Sequence, residues 1–105
     1  MKDKLTIIKV GGAVLNDNKI FKTFLNNFSK IEEKKILVHG GGIIASNYMV
    51  RLGIPPKFTK GRRITDEKTL DVAIMTYAGL INKKIVAQLQ KLNCNSIGLS
   101  GADCN

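Results

Sequence analysis

The chain has 105 residues, of which 44% are hydrophobic and 24% charged, and its formal net charge is +9. These proportions are typical of one soluble globular domain and exclude a disordered tail or a fibrous repeat. The positive charge favours an anionic partner, such as nucleic acid, an acidic metabolite or nucleotide phosphates. Because the lysines are dispersed, without interleaved arginine and aromatic residues, we interpret them as a solvated basic surface and predict no nucleic-acid partner.

The cysteines and the single histidine do not form a metal-binding pattern. Cys94 and Cys104 have no cysteine or histidine partner at the spacing of a zinc site. We therefore predict no metal site and a reduced, cytoplasmic setting. No apolar stretch approaches the ~20 residues of a membrane-spanning helix, and no signal-peptide core precedes the first strand, so no membrane partner is predicted.

The first predicted unit is a strand, a glycine turn and a helix. Residues 5–10 (LTIIKV) are rich in β-branched residues and end at Gly11 and Gly12, which predicts a buried strand that enters a turn. Asp17 or Asn18 then caps a helix whose apolar residues share one face. That face is expected to pack on a sheet.

The second unit repeats this order. Residues 35–39 (KILVH) predict a short strand, and residues 40–42 are three consecutive glycines. Apolar residues at three- and four-residue spacing follow, which predicts another amphipathic helix. Gly53 and the two prolines after it end this helix, because glycine accepts the left-handed cap position and proline cannot continue a helix.

The rest of the chain predicts a hairpin, a long helical region and a further strand. Residues 57–65 (KFTKGRRIT) indicate extended or hairpin structure around Gly61. Thr65 is the predicted cap of the next helix, in which Gly79 marks either a break or a close contact. Residues 96–99 (SIGL) predict the next strand.

Alternating strands and helices predict one α/β sandwich domain with a mainly parallel sheet. Ligands of such sheets bind beyond the carboxyl ends of the strands, where both glycine clusters lie. Their backbone N–H groups can bind an anion together. Lys9 adjoins the first cluster within an apolar strand, so we interpret it as a phosphate ligand; a lysine that snorkels from an edge strand is the alternative.

Two common phosphate motifs fit the glycine segment poorly. GGGIIA satisfies G-x-G-x-x-A of the dinucleotide fingerprint, but that motif needs an acidic residue about twenty residues later, where this chain reads KGRRIT. A G-x-x-x-x-G-K-[ST] loop is absent from the sequence. Neither motif explains two glycine turns with an adjacent lysine.

Five segments carry a resemblance to a known family. IIKVGG, LVHGGG, KGRRITD, the G-x-x-N-K of residues 79–83 and GLSGAD resemble, in order and spacing, the N-terminal half of acetylglutamate kinase in the amino acid kinase superfamily. The resemblance covers nearly the whole chain. The family's C-terminal, nucleotide-binding part has no counterpart in these residues.

The resemblance implies a truncated, amino acid kinase-like three-layer sandwich. Residues 1–105 would be its acyl-substrate-binding part, and the nucleotide-binding part would be absent. The implied reaction is phosphorylation by ATP, with Mg²⁺, of the γ-carboxylate of N-acetyl-L-glutamate in arginine biosynthesis. The fragment alone is expected to be inactive, and the complete protein is expected to be a homodimer or higher homo-oligomer.

The same resemblance assigns roles to individual residues. Lys9 would stabilise the transferring phosphoryl group in the transition state. Gly11 and Gly12 would wrap phosphate oxygens, and Gly41 and Gly42 would contact the acyl substrate through backbone N–H groups.

By resemblance, Arg63 would clamp the α-carboxylate of the substrate, a role that suits a planar guanidinium. Arg62 beside it leaves the assignment within the pair open. His39 is expected to order the glycine loop or to be a partly buried strand end, and Asp103 is expected to be a turn or cap residue rather than a magnesium ligand. The remaining aromatic candidates are interpreted as core or pocket wall: Tyr48, Phe58 and Tyr77.

Two other functions stay open from the sequence. A non-catalytic module could bind an acylated acidic amino acid or a phosphate with the same glycine loops. A small nucleic-acid-binding protein would show a steep dependence of affinity on salt. A downstream reading frame with a second glycine-rich segment, an aspartate and a lysine would favour the kinase over the module.

Overall fold

The computed structural model describes residues 3–104. In chain order its elements are β1 (Leu5–Val10), α1 (Gly12–Leu15), α2 (Asn18–Ser29), β2 (Lys34–His39), α3 (Gly42–Arg51), β3 (Phe58–Thr59), β4 (Arg62–Arg63), α4 (Glu67–Ala73), a π-helical segment (Ile74–Ile81) and α5 (Asn82–Lys91). Within the described range, no helix has the length and apolar content needed to cross a membrane.

A short parallel sheet joins β1 to β2, as expected for an α/β chain. The strands pair in register from Leu5 opposite Lys34 to Val10 opposite His39. α2 makes the crossover connection that parallel neighbours require. The fold class is therefore α/β, with a parallel sheet of two strands in the described part of the chain.

The core lies between one face of this sheet and the helices. Apolar side chains from the end of β1, from α1 and α2, and from the C-terminal helical region form one buried cluster: Val10, Leu15, Leu25, Phe28, Ile81, Ile85 and Leu89. Burial alternates along β1, so that Leu5, Ile7 and Lys9 lie on the other, exposed face. That face leaves apolar side chains in contact with solvent.

The predicted ends of α2 and α3 are confirmed by their cap geometry. The Asp17 carboxylate accepts hydrogen bonds from Lys19 N and Ile20 N, both at 3.0 Å. At the end of α3, Gly53 has φ +73° and Ile54 N donates to Met49 O at 2.8 Å. The latter bond defines a Schellman motif, which needs a left-handed residue at the glycine position.

The predicted hairpin around Gly61 is also confirmed. β3 and β4 pair antiparallel, with Phe58 opposite Arg63. Lys60 and Gly61 both have positive φ, at 52° and 76°, as the two central residues of a type I′ turn require. The hairpin places Arg63 beside α3.

The predicted cap of α4 is wrong by one residue. Asp66, not Thr65, is the N-cap, and its carboxylate accepts a hydrogen bond from Thr69 N at 2.9 Å. Hydrogen bonding by Thr69 lowers the pKa of Asp66 below its usual value. A carboxylate also carries negative charge at the positive end of the helix dipole, which favours aspartate over threonine as the cap. At Gly79 the chain stays helical, and an added Cβ would meet only Ile74 O, at 3.9 Å.

The strand predicted at residues 96–99 is not formed, and this prediction is wrong. These residues have no sheet partner in the described range, and Ile97 is 82% exposed. A cavity of about 1080 Å³ is lined by both β2 and this segment. The carbonyls of Gly98 and Leu99 accept side-chain hydrogen bonds from Lys83 Nζ and Asn82 Nδ2 instead of bonds from a neighbouring strand.

Candidate functional site

The two glycine clusters lie at the same edge of the sheet. β1 and β2 are parallel and in register up to Val10 and His39, so the glycines that follow each strand emerge side by side. A Cβ at Gly12 would lie 3.7 Å from Ile43 Cδ1, one residue beyond Gly42. The predicted placement of both clusters at the carboxyl ends of adjacent strands is confirmed.

Each cluster begins a helix that has no side-chain cap. Gly11 is the N-cap of α1 and Gly41 is the N-cap of α3, and neither position provides a capping hydrogen bond. The first N–H groups of a helix have no partner within the helix. In α3 these groups lie at the positive end of a ten-residue helix, which is an environment that favours an anion.

Gly41 occupies a position that disfavours any residue with a Cβ. Its φ is +151°, and an added Cβ would overlap Ile81 Cδ1 and lie 3.1 Å from Tyr77 Cδ1. The loop therefore packs directly on the π-helical segment. A Cβ at Gly42 would lie 3.7 Å from the Tyr77 hydroxyl, so Tyr77 forms a wall beside the loop, as the sequence analysis expected of a pocket aromatic.

Arg63 is anchored to the first turns of α3. Its Nη2 donates to Gly42 O at 2.8 Å and to Ser46 Oγ at 2.7 Å. Its Nη1 donates to Met49 Sδ at 3.2 Å, and its guanidinium carbon lies 5.1 Å from the centre of the Phe58 ring. The hairpin thus brings a half-buried positive charge to the glycine loop.

These contacts occupy three of the five N–H groups of the Arg63 guanidinium. A guanidinium can hold a carboxylate with two parallel hydrogen bonds along its Nε–Nη2 edge or its Nη1–Nη2 edge, and Nη2 belongs to both edges. Both hydrogens of Nη2 are already donated to Gly42 O and Ser46 Oγ. A bidentate clamp therefore requires that Gly42 O or Ser46 Oγ release Nη2. The Ser46 hydroxyl is the more easily displaced partner because its side chain can rotate.

Ser46 and Met49 were not identified from the sequence. Ser46 lies four residues after Gly42 and Met49 seven residues after it, so all three share one face of α3. That spacing was a usable signal, but only the position of the hairpin shows that Arg63 meets this face.

Lys9 is exposed on the sheet face opposite the core, across from Val38. Within residues 3–104 its ammonium has no hydrogen bond or ion pair. β1 is an edge of the two-stranded sheet. A phosphate ligand and a snorkelling lysine are both compatible with this position.

The remaining candidates occupy distinct places. Arg62 is exposed on β4, whereas Arg63 is half-buried beside the loop. His39 is a half-buried strand end, and its Nδ1 lies 3.0 Å from Gly40 O. Asp103 is a turn residue, because its N–H donates to Ser100 O at 3.0 Å and its carboxylate accepts from Ser100 N at 2.7 Å. The hydrogen bonds that Ser100 N and Ser100 Oγ donate to this carboxylate lower the pKa of Asp103.

No cluster of three or more histidine, cysteine, aspartate or glutamate side chains suited to a metal ion occurs between residues 3 and 104. Positive charge and backbone N–H groups dominate the site instead. The arrangement is suited to hold anionic groups at the edge of the sheet.

Comparison with known proteins identifies the family of the chain. The model of the amino acid kinase family matches residues 4–105. Acetylglutamate kinase from Bacteroides fragilis is 51% identical over 105 residues, which is 100% of this chain and 40% of that protein. Acetylglutamate kinase from Phocaeicola vulgatus is 53% identical over 105 residues, 100% of this chain and 41% of that protein.

Solved structures share the fold at lower identity. The smu.665 protein from Streptococcus mutans superposes with a TM-score of 0.70 and 24% identity, over 89% of this chain and 38% of that one. N-acetylglutamate synthase from Neisseria gonorrhoeae, in complex with coenzyme A and N-acetyl-glutamate, superposes with a TM-score of 0.64 and 21% identity, over 88% of this chain and 22% of that one.

The chain spans only 40% and 41% of the length of the two curated relatives named above. The identity nevertheless extends over all of its residues, and the family model begins at residue 4 and reaches residue 105. The chain belongs to the amino acid kinase family, and its sequence is similar to the N-terminal part of acetylglutamate kinases.

Proposed function

We propose that the complete protein phosphorylates the γ-carboxylate of N-acetyl-L-glutamate with ATP, in arginine biosynthesis. Residues 1–105 would form its acyl-substrate-binding part. The observation that carries the proposal is the meeting of two uncapped glycine turns and the Arg63 guanidinium at one sheet edge. The identity to named acetylglutamate kinases supports the choice of substrate.

The proposed reaction does not require a general base. A γ-carboxyl group has a pKa near ~4.3 and is already an ionised nucleophile at neutral pH. The protein must instead align two anions and stabilise the charge that spreads over the phosphoryl group. Backbone N–H groups and cationic side chains supply that stabilisation.

The residues of the site divide this work in the proposal. Gly41 and Gly42 hold the acyl substrate through N–H groups of the α3 turn, and Gly11 and Gly12 contact phosphate oxygens. Lys9 stabilises the transferring phosphoryl group. Lys9 would act from the end of β1, one residue before the strand's final position.

Arg63 binds the α-carboxylate of N-acetyl-L-glutamate in this proposal. The Nη2 group that touches Gly42 O and Ser46 Oγ would exchange the serine for a substrate oxygen. The guanidinium then keeps its anchor on the loop while it gains a charge-assisted pair.

The remaining parts of the proposal concern the complete protein. A nucleotide-binding part, of the kind expected beyond the region shared with longer relatives, would bind ATP with Mg²⁺ and complete a three-layer sandwich. The complete protein would act as a homodimer or higher homo-oligomer in the cytoplasm. Without the nucleotide-binding part, the 105-residue chain would bind N-acetyl-L-glutamate weakly and would not phosphorylate it.

The test is an assay of acyl phosphate formation by the full-length gene product. ATP and N-acetyl-L-glutamate are supplied, hydroxylamine traps the acyl phosphate as hydroxamate, and L-glutamate serves as the control substrate. The proposal predicts turnover that depends on the N-acetyl group. Arg63→Lys should raise KM for N-acetyl-L-glutamate, whereas Arg62→Lys, the same change on an exposed neighbour, should not. Absence of turnover with N-acetyl-L-glutamate would refute the proposed reaction.

A further inference from the structure

Asn82 lies at a junction between three parts of the chain. It is the first residue of α5 and is 7% exposed. Its Nδ2 lies 3.2 Å from His39 Nε2, at the end of β2, and 3.2 Å from Leu99 O. Gly98 approaches so closely that an added Cβ would overlap Asn82 Oδ1. A buried amide that joins a helix start, a strand end and a loop is under strong geometric constraint.

The contacts of Asn82 determine which way its amide points. Lys83 Nζ donates to Asn82 Oδ1 at 3.2 Å and to Gly98 O at 2.9 Å. The reverse amide orientation would place Nδ2 against this ammonium and Oδ1 against Leu99 O. Both would be repulsive, so the oxygen faces Lys83 and the NH₂ group donates to His39 and Leu99.

This orientation determines the tautomer of His39. Nε2 faces an N–H donor and therefore acts as an acceptor without a proton. Nδ1 lies 3.0 Å from Gly40 O, which can only accept, so Nδ1 carries the proton. Gly40 opens the loop whose next two residues are Gly41 and Gly42.

We propose that Asn82 is a positioning residue for the glycine loop: it holds His39 as the neutral Nδ1–H tautomer, and His39 in turn orients the Gly40 carbonyl. Removal of the Asn82 amide would break the link between α5 and β2. The ring would then lose the partner that keeps Nδ1–H directed at Gly40 O. The assignment of a substrate to this loop rests on the proposed function.

Several charged or titratable groups surround the histidine. Lys83 from α5 brings positive charge through Asn82, and Tyr77 from the π-helical segment packs on the glycine loop. Asp103 lies in the turn after residue 100 and interacts with Lys83. On β2 itself, Lys35 is engaged with the carbonyls of residues 28, 29 and 31. The nearest polar partner of Nε2 is the Asn82 amide, so an aspartate at position 82 would replace the N–H donor that faces Nε2 with an acceptor.

The first test reads the tautomer directly by NMR of the imidazole nitrogens. His39 is the only histidine of the 105-residue chain, so ring-¹⁵N histidine labelling gives one imidazole spin system. Near neutral pH, the chain should show a protonated Nδ1 and an unprotonated Nε2. Asn82→Asp should place a proton on Nε2 under the same conditions, because a carboxylate at this position accepts from Nε2–H. Asn26→Asp, the same charge change at an exposed position of α2, should leave Nε2 unprotonated.

The second test uses the full-length gene product, so that the result does not depend on the stability of the shorter chain. Asn82→Asp should weaken N-acetyl-L-glutamate binding, measured by calorimetry, and Asn26→Asp, which adds the same charge, should not. An Nε2–H tautomer in wild-type protein, or equal imidazole protonation and equal affinities in both variants, would overturn the inference. The predicted tautomer in a protein without kinase activity would refute the proposed function and leave the positioning role of Asn82 intact.

Discussion

Replacement of Arg63 by lysine keeps the positive charge and removes the planar fork. The guanidinium makes two bonds from Nη2, at 2.8 and 2.7 Å, one contact to Met49 Sδ and a stacking contact with Phe58. An ammonium can keep one of the two oxygen partners, so the variant loses about 1 kcal/mol for a hydrogen bond and about 0.5–1 kcal/mol for the aromatic contact. The expected loss of about 1.5–2 kcal/mol changes the ratio of folded to unfolded protein by roughly 10- to 30-fold.

Urea denaturation of wild-type protein, Arg63→Lys and Arg62→Lys measures this loss. We expect a lower midpoint with an unchanged slope for Arg63→Lys, because the slope follows the surface exposed on unfolding. The Arg62→Lys variant changes an exposed side chain on the same two-residue strand and should match wild type. If the two variants have equal midpoints, the contacts of Arg63 with α3 contribute nothing measurable and its anchoring role is wrong.

Four further predictions cover catalysis, substrate binding, pH and association. In the full-length gene product, Lys9→Ala should lower kcat far more than it raises KM for N-acetyl-L-glutamate in steady-state assays, because in its proposed role Lys9 contacts the phosphoryl group more strongly in the transition state. Wild-type kinetics would remove Lys9 from the mechanism. Ser46→Ala should lower that KM, up to about fivefold, because Nη2 of the arginine no longer exchanges a partner; a raised KM would contradict the exchange. Hydrogen bonding lowers the folded-state pKa of Asp66 below 3.8, so the ionised cap stabilises α4 above pH 3.8, and this stabilisation is lost as pH falls through the folded-state pKa. Thermal unfolding of wild-type protein between pH 6 and 2.5 should therefore include a loss of stability that is absent from Asp66→Asn. Identical pH profiles for the two proteins would refute this assignment. The 105-residue chain should be weakly stable and should associate through its exposed sheet face, where Ile7 is 63% exposed. Association, measured by light scattering, should decrease in Ile7→Lys. A wild-type chain that is monomeric and unfolds cooperatively would contradict this expectation.

Local signals in the sequence were sufficient for the ends of several elements. The cap at Asp17, the Schellman motif at Gly53 and the turn at Gly61 each depend on residues within one turn of the chain. Glycine at a positive-φ position and a carboxylate before a helix encode these features directly. Thr65 was predicted as the cap of α4 because both residues are competent acceptors, but only Asp66 also adds negative charge at the positive end of the helix dipole.

The strand predicted at residues 96–99 shows what local patterns omit. SIGL has the composition of a strand, but a ladder requires a partner whose position depends on the whole fold. In the structure the carbonyls of this segment bond to Asn82 and Lys83. Composition alone carries no information about that competition.

The sequence predicted the position of the glycine clusters but not the side-chain contacts around them. The glycine clusters precede helices and follow strands, so their common edge follows from the rules of parallel sheets. The contacts that shape the site join distant residues: Arg63 meets Ser46 across 17 positions, and Asn82 meets His39 across 43. No spacing in the sequence indicates such pairs, and they emerge only when the helices and the hairpin have packed.

The central claim is that the glycine turns after β1 and β2, together with Arg63, bind the acyl substrate and its phosphoryl donor. The most direct measurement is amide NMR of the full-length gene product with ¹⁵N-labelled glycine, titrated with N-acetyl-L-glutamate and, separately, with L-glutamate. The account predicts saturable shifts of the Gly41 and Gly42 amides with the acetylated ligand, and weaker binding in Arg63→Lys. Saturable binding that leaves the Gly41 and Gly42 amides unshifted, or no preference for the acetylated ligand, would contradict it.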